Sequence, residues 1–97
     1  MSTIAVRALI TGTVQGVFFR ASCLEQAQNL NLFGSVENLE TDTVAIVAQG
    51  DRNAVEELLV WAHTGSPDAS VREVHIRSLD LDEERNAFRV LRPHSPL

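Results

Sequence analysis

The sequence predicts an α+β fold, with two helices on one face of a small sheet in the order β-α-β-β-α-β, followed by a short fifth strand. Three observations predict it. Apolar residues alternate at a period of two in several short runs, which marks half-buried strands. Between these runs lie two segments whose apolar residues return every three or four positions, which marks amphipathic helices. The chain has 97 residues, one domain's worth, and such a chain buries roughly 60–70% of its unfolded surface in a single core.

The first strand is the alternation of Ile4, Val6, Ala8 and Ile10 with Ala5, Arg7, Leu9 and Thr11. A glycine-containing stretch, Gly12-Thr13-Val14-Gln15-Gly16, leads into a helix whose face is Phe19, Cys23, Ala27 and Leu30. Asn29 and Asn31 stand near its end, and Asn is a tolerated C-cap. Gly34 opens a second strand, Ser35 to Leu39, and Glu40-Thr41-Asp42 is a turn. Val44, Ile46 and Ala48 form a third strand that stops at Gly50. Asp51 or Asn53 can cap the second helix, and Asn53 with Glu56 has capping-box spacing. Its face is Val55, Leu58, Leu59 and Ala62, and Gly65 stops it. After the Ser66-Pro67-Asp68 loop, Val74 and Ile76 begin a fourth strand. Its phase slips at Ser78-Leu79, which predicts a bulge before Leu79 and Leu81. Asp82 to Asn86 is a polar turn, and Phe88, Val90 and Leu91 form the last strand. Residues 1–92 thus make one domain, and 93–97 a frayed tail. Two βα units joined by a hairpin give the ferredoxin-like sandwich, with an antiparallel sheet and both helices on one face. That superfold hosts many functions, so it does not choose among them.

Composition narrows the choice. The net charge is −5, from 13 Asp+Glu against 8 Lys+Arg, and all the bases are Arg. Neither a nucleic acid nor an anionic membrane surface is an expected partner of so acidic a domain. Tyr is absent, and the strands lack the exposed paired aromatics of an RNA-binding sheet. The single cysteine, Cys23, forms no internal disulfide. No apolar run reaches the roughly 18 residues of a membrane span, and no signal peptide is visible. The expectation is a cytoplasmic domain acting as a monomer.

The charge is unevenly spread. Residues 1–24 contain Arg7 and Arg20 and no acid, whereas all 13 acids follow. Inside the acid-free part lies Gly12-Thr13-Val14-Gln15-Gly16-Val17-Phe18-Phe19-Arg20, a strand, a glycine-containing loop and a helix start. Glycines let successive N–H groups turn into one concavity, a nest for an anion. The helix adds its N-terminal dipole, and the Arg20 fork matches two phosphate oxygens. There is no P-loop pattern and no lysine. The same residues also suit a plain strand-to-helix turn with a solvated Arg, and spacing alone leaves both open. Phe18 and Phe19 read as core anchors rather than substrate contacts.

The nine-residue segment Gly12–Arg20 resembles the signature of the acylphosphatase family. Gly34, Val36 and Asn38, then Val44 and Gly50, resemble a second element of that family. Trp61, Gly65, Pro67, Ala69 and Val71 resemble its second helix and following loop, and Phe88 its last strand. The likeness runs from about Val6 to Arg89. It implies hydrolysis of a small-molecule acyl phosphate to a carboxylate and inorganic phosphate, with no cofactor and no metal. It implies that Arg20 binds the phosphate and Asn38 positions the attacking water. It also implies that the backbone of Gln15, Gly16, Val17, Phe18 and Phe19 lines the phosphate cradle.

Elementary chemistry agrees with that set. The leaving carboxylate has a conjugate-acid pKa near ~4, so it departs without a proton and needs no general acid. Phosphoryl transfer rests on positioning and charge stabilisation, which an Arg and a ring of amides supply. Asn accepts from water and donates to phosphate, so it orients a nucleophile without being a strong base.

Some residues depart from the family's pattern. Ser35 stands where Trp is frequent, Thr41-Asp42 where Asp-Gly is common, and Ser66 where the first Pro of a Pro-Pro loop stands. The Thr41-Asp42 turn is expected to be strained or of another type, and Ser66 to have no consequence. Glu37 is an acid near the signature's partner strand, but strand alternation puts it on the face opposite Val36 and Asn38. His63, His75 and His94 match no zinc spacing. Cys23 belongs to the core face, and Asp80, Asp82, Glu83 and Glu84 to a solvated turn. The rival reading is a non-catalytic ferredoxin-like module that binds a phosphorylated ligand or a partner protein.

Overall fold

The computed structural model describes residues 2–40 and 42–92. Its elements are β1 (Thr3–Thr13), α1 (Phe19–Asn29), β2 (Phe33–Asn38), β3 (Thr43–Asp51), α2 (Arg52–Ala62), β4 (Ser70–Leu79) and β5 (Phe88–Leu91). The expected order is present. The 93–97 tail and Thr41 of the expected turn lie outside the described residues.

The strands form one sheet in the order β4-β1-β3-β2-β5. β1 pairs antiparallel with β3 and β4, and β2 antiparallel with β3. This four-stranded part is the expected antiparallel ferredoxin-like sheet. β5 then joins β2 in parallel, which makes the whole sheet mixed. β4 and β5 occupy opposite edges, so residues 80–87 must cross the sheet to connect them. Gln49 clamps that crossing: its side chain donates to the Asp82 carbonyl at 3.0 Å and accepts from the Asp82 N–H at 3.0 Å.

Alternation along the strands decides which face is covered. Val6, Ala8 and Ile10 of β1 and Val44, Ile46 and Ala48 of β3 are buried beneath the two helices. From α1 come Phe19, Cys23 and Ala27, and from α2 come Val55, Leu58 and Ala62. The helices meet where the Phe19 and Trp61 rings lie 5.0 Å apart.

Helix ends follow from local chemistry. Asp51, rather than Asn53, caps α2 by accepting from the Asn53 N–H at 3.1 Å. At the end of α1, Leu32 N–H donates to the Ala27 carbonyl (2.9 Å) and Asn31 N–H to the Gln28 carbonyl (3.1 Å). That is a Schellman pair, and Asn31 makes it possible by taking φ 57°.

The bulge expected at Ser78-Leu79 is elsewhere. β4 pairs with β1 without a break through Leu79, which faces the side away from the helices opposite Ala5. The register shifts instead between Thr11 and Gly12, leaving Arg72 as the extra residue on β4. Val71 and Val74 therefore both face the core although three residues apart, and β4 begins at Ser70 rather than Val74. Gly12 is needed here: a Cβ on it would lie 2.2 Å from the Ser70 carbonyl oxygen.

Candidate active site

β1, β2 and β5 run in the same direction, so their C-terminal ends meet at one end of the sheet. The chain leaves β1 there, turns through residues 14–18 and starts α1. A cleft of ≈ 480 Å³ opens at this junction. Arg20, Ala21 and Leu24 of α1 line it, with Asn38 from the end of β2 and Val90 and Arg92 from β5 and just beyond. Gly16 and Phe18 supply its loop side, and the buried Val14 and Phe19 its floor.

The loop folds as a nest because two of its residues are left-handed. Gly16 has φ 75° and Phe18 φ 62°. A Cβ on Gly16 would meet nothing within 4 Å, so glycine serves the backbone angle there and not the space. Phe18 holds the same conformation at a cost of about 1–2 kcal/mol. Phe18 is the residue before the first turn of α1, and no side chain caps that turn. The first turn also contains no acid. Its free N–H groups and the positive end of the helix dipole are thus available to an anion.

Charge in the cleft has one sign. Arg20 and Arg92 line it, and among the described residues no Asp, Glu or His does. Asn38 lies on the same face of β2 as Val36, and Glu37 on the opposite face, where it pairs in register with Ala45 and Leu91. The acid next to Asn38 in sequence is therefore turned away from the site, as alternation predicts. Asn38 Oδ1 is fully buried and has no hydrogen-bond partner among the described residues. An acceptor in that state costs about 1–3 kcal/mol unless a donor reaches it.

The predicted residues separate into two groups. Arg20, Asn38, Gly16, Phe18 and Phe19 come together around the cleft, whereas Gln15 and Val17 do not line it. The Gln15 amide donates instead to the carbonyls of Glu40 and Thr43, the latter at 2.9 Å. It ties the loop to the β2–β3 hairpin that carries Asn38. The Val17 carbonyl accepts from the Ser66 hydroxyl at 2.7 Å. Phe19 is a core anchor as expected, 1% exposed, but Phe18 is 78% exposed and anchors nothing. The left-handed backbone swings its side chain out of the helix register, which the doublet of phenylalanines conceals.

Four further residues escape the sequence reading. Arg92 joins the cleft because β5 adds beside β2, a pairing that a four-residue strand does not announce. Ala21 and Leu24 give the cleft an apolar wall. Ser66, 3% exposed, holds the loop from behind, a contact between residues 49 positions apart with no local signal. Cys23 lies one turn into α1 but is fully buried, and burial pushes its thiol up to about 12. It is a packing residue and not a nucleophile.

Comparison with known proteins agrees with this arrangement. The family model described as Acylphosphatase matches residues 6–90. A curated acylphosphatase of Haloquadratum walsbyi is 46% identical over 78 residues, covering 78% of this chain and 84% of that protein. One of Methylococcus capsulatus is 41% identical over 87 residues, 90% of this chain and 95% of that protein. Among solved structures, an acylphosphatase from Coxiella burnetii superimposes with a TM-score of 0.86 at 36% identity, over 92% of this chain and 93% of that one. With a match over nearly its whole length and a cleft of one charge sign at the expected place, the chain belongs to the acylphosphatase family.

Proposed function

We propose that the cleft at the start of α1 is where this acylphosphatase hydrolyses its substrate, with Arg20 binding the phosphate and Asn38 positioning the attacking water. The observation that carries the proposal is the pairing of a cationic, acid-free cleft with the orphaned Asn38 Oδ1. A water donating to that oxygen would satisfy it and stand beside a phosphate held by Arg20. The Asn38 amide nitrogen is then free to donate to a phosphate oxygen.

The reaction needs little more. Water attacks phosphorus, the bond between phosphorus and the acyl oxygen breaks, and the carboxylate leaves unprotonated. Among the described residues no titratable base lines the cleft, and the water's proton passes to an oxygen of the phosphoryl group. The Arg20 guanidinium and the amides of Gly16, Phe18 and Phe19 neutralise charge on the transferring group. The same set is too weak for an alkoxide leaving group, which restricts the enzyme to acyl phosphates. No helix among the described residues is long and apolar enough to cross a membrane. We place the enzyme in the cytoplasm as a monomer without a nucleic-acid partner; the net charge of −5 supports the last of these, and a sizing column checks the monomer.

The direct test is turnover of acetyl and benzoyl phosphate by purified protein in EDTA. The expected outcome is release of inorganic phosphate from both. Phosphate binding without turnover would replace the enzyme by the binding module, and turnover that vanishes with EDTA would refute metal independence.

A further inference from the structure

Ser66 belongs to the loop between α2 and β4, behind the phosphate loop, and does not line the cleft. It is nonetheless buried, and its hydroxyl donates to the Val17 carbonyl at 2.7 Å. The peptide between Val17 and Phe18 is trans, as no cis bond is present among the described residues. In a planar trans peptide the C=O and the following N–H point in opposite directions. Gly16 and Phe18 line the cleft while Val17 does not. A carbonyl drawn back towards Ser66 therefore aims the Phe18 N–H at the cleft.

That orientation is under tension. Phe18 sits at φ 62°, a conformation that a bulky residue adopts with strain. Turning the Val17–Phe18 peptide over would carry Phe18 to negative φ and relieve it. The same turn would remove one donor from the cradle and put a carbonyl oxygen in its place, facing the phosphate. Exposure of the Phe18 ring means that packing does little to prevent the turn. The Ser66 hydroxyl does prevent it, because a flipped peptide leaves that buried donor unpaired.

We infer that Ser66 is a positioning residue, whose hydrogen bond to the Val17 carbonyl locks the Val17–Phe18 peptide with its N–H towards the bound phosphate. The inference rests on the hydrolase reading above, and it reverses the expectation that serine at this position is without consequence.

The test compares Ser66→Ala and Ser66→Thr with the unsubstituted protein in acetyl phosphate turnover, inhibition by inorganic phosphate, and the Phe18 amide resonance during phosphate titration. For Ser66→Ala we expect kcat/KM to fall about tenfold to a hundredfold, as a misaligned donor costs in other sites. The phosphate inhibition constant should rise about fivefold or more, and the Phe18 amide shift on titration should shrink. Ser66→Thr, which keeps the hydroxyl, should lie within about threefold of the unsubstituted protein. In a Phe18→Gly background the cost of Ser66→Ala on phosphate affinity should be smaller, because glycine holds positive φ without strain.

An unsubstituted protein that turns over substrate, with a Ser66→Ala variant of equal rate and phosphate affinity, overturns this inference alone. No turnover and no phosphate-induced shift in the unsubstituted protein overturns the hydrolase reading together with it. A Ser66→Ala variant that fails to fold, or a Ser66→Thr variant as impaired as alanine, makes the hydroxyl a stability contact only and overturns the inference.

Discussion

Phe18 and Phe19 are neighbours in the chain with opposite roles. Phe19 is buried against Trp61, while Phe18 projects into solvent at the cleft rim. Phe19→Ala should destabilise the protein by about 3–5 kcal/mol, the range for a buried phenylalanine. Phe18→Gly exchanges left-handed strain of about 1–2 kcal/mol for a chain-entropy cost of about 0.5–1 kcal/mol. Urea melts of the two variants should therefore differ in direction, with Phe18→Gly unchanged or slightly more stable. Periodicity separates these residues poorly, because both are apolar and adjacent to a helix start. Only the positive φ of Phe18, a property of the folded loop, reveals that one faces out. Arg20 is legible from the strand, glycine-containing loop and helix start around it, whereas Asn38 is legible only through the resemblance of Gly34, Val36 and Asn38 to a family element; the topology then brings both to the cleft.

Elements differ in how openly they declare themselves. β1 and β3 are buried on the helix side and alternate cleanly, so their pattern is visible. β4 is an edge strand with one extra residue, and the bulge at Arg72 puts Val71 and Val74 on one face at a spacing no regular strand has. The phase change was real, but its place was not where Leu79 suggested. β2 carries Asn38 and depends on close approach to β3. A Cβ on Gly34 would fall 1.8 Å from the Val47 carbonyl oxygen, at a φ of 142°. Gly34→Ala should thus loosen the β2–β3 pairing and lower both stability and activity. Hydrogen exchange would show it as lost protection in residues 33–38. At the other helix, Asp51→Ala removes the α2 cap and should cost about 1 kcal/mol in a denaturant melt. Activity should be retained, since α2 supplies no residue to the cleft.

At the scale of the whole molecule, topology explains why an acidic chain can hold an anion. Three strand ends, one uncapped helix start and the acid-free first 24 residues converge on a single cleft, while all the acids lie in later segments. The fold was legible because two split βαβ units leave few arrangements. Arg92 and Ser66 were not, because each reaches the site through tertiary contact alone. The core also carries a pH signature. Burial pushes the Cys23 thiol of the folded protein up to about 12 from the ordinary value of 9.0 that the unfolded chain keeps. Above that lower value the unfolded chain loses a proton that the folded protein keeps. Stability should fall with rising pH by about 1.4 kcal/mol per unit from this group, until the folded thiol titrates too. Thiol reagents should react with Cys23 only as the protein unfolds. Urea melts from pH 8 to 11, with Cys23→Ala as the control that lacks this slope, would measure it.

In the proposed reaction Asn38 holds the nucleophile in the cleft where Arg20 holds the phosphate. The measurement that bears on it most directly is kcat for acyl phosphate hydrolysis by Asn38→Ala, with the fold verified by circular dichroism. We expect a loss of about a hundredfold or more with a native spectrum. An Asn38→Ala protein that hydrolyses acetyl phosphate at the unsubstituted rate would contradict it.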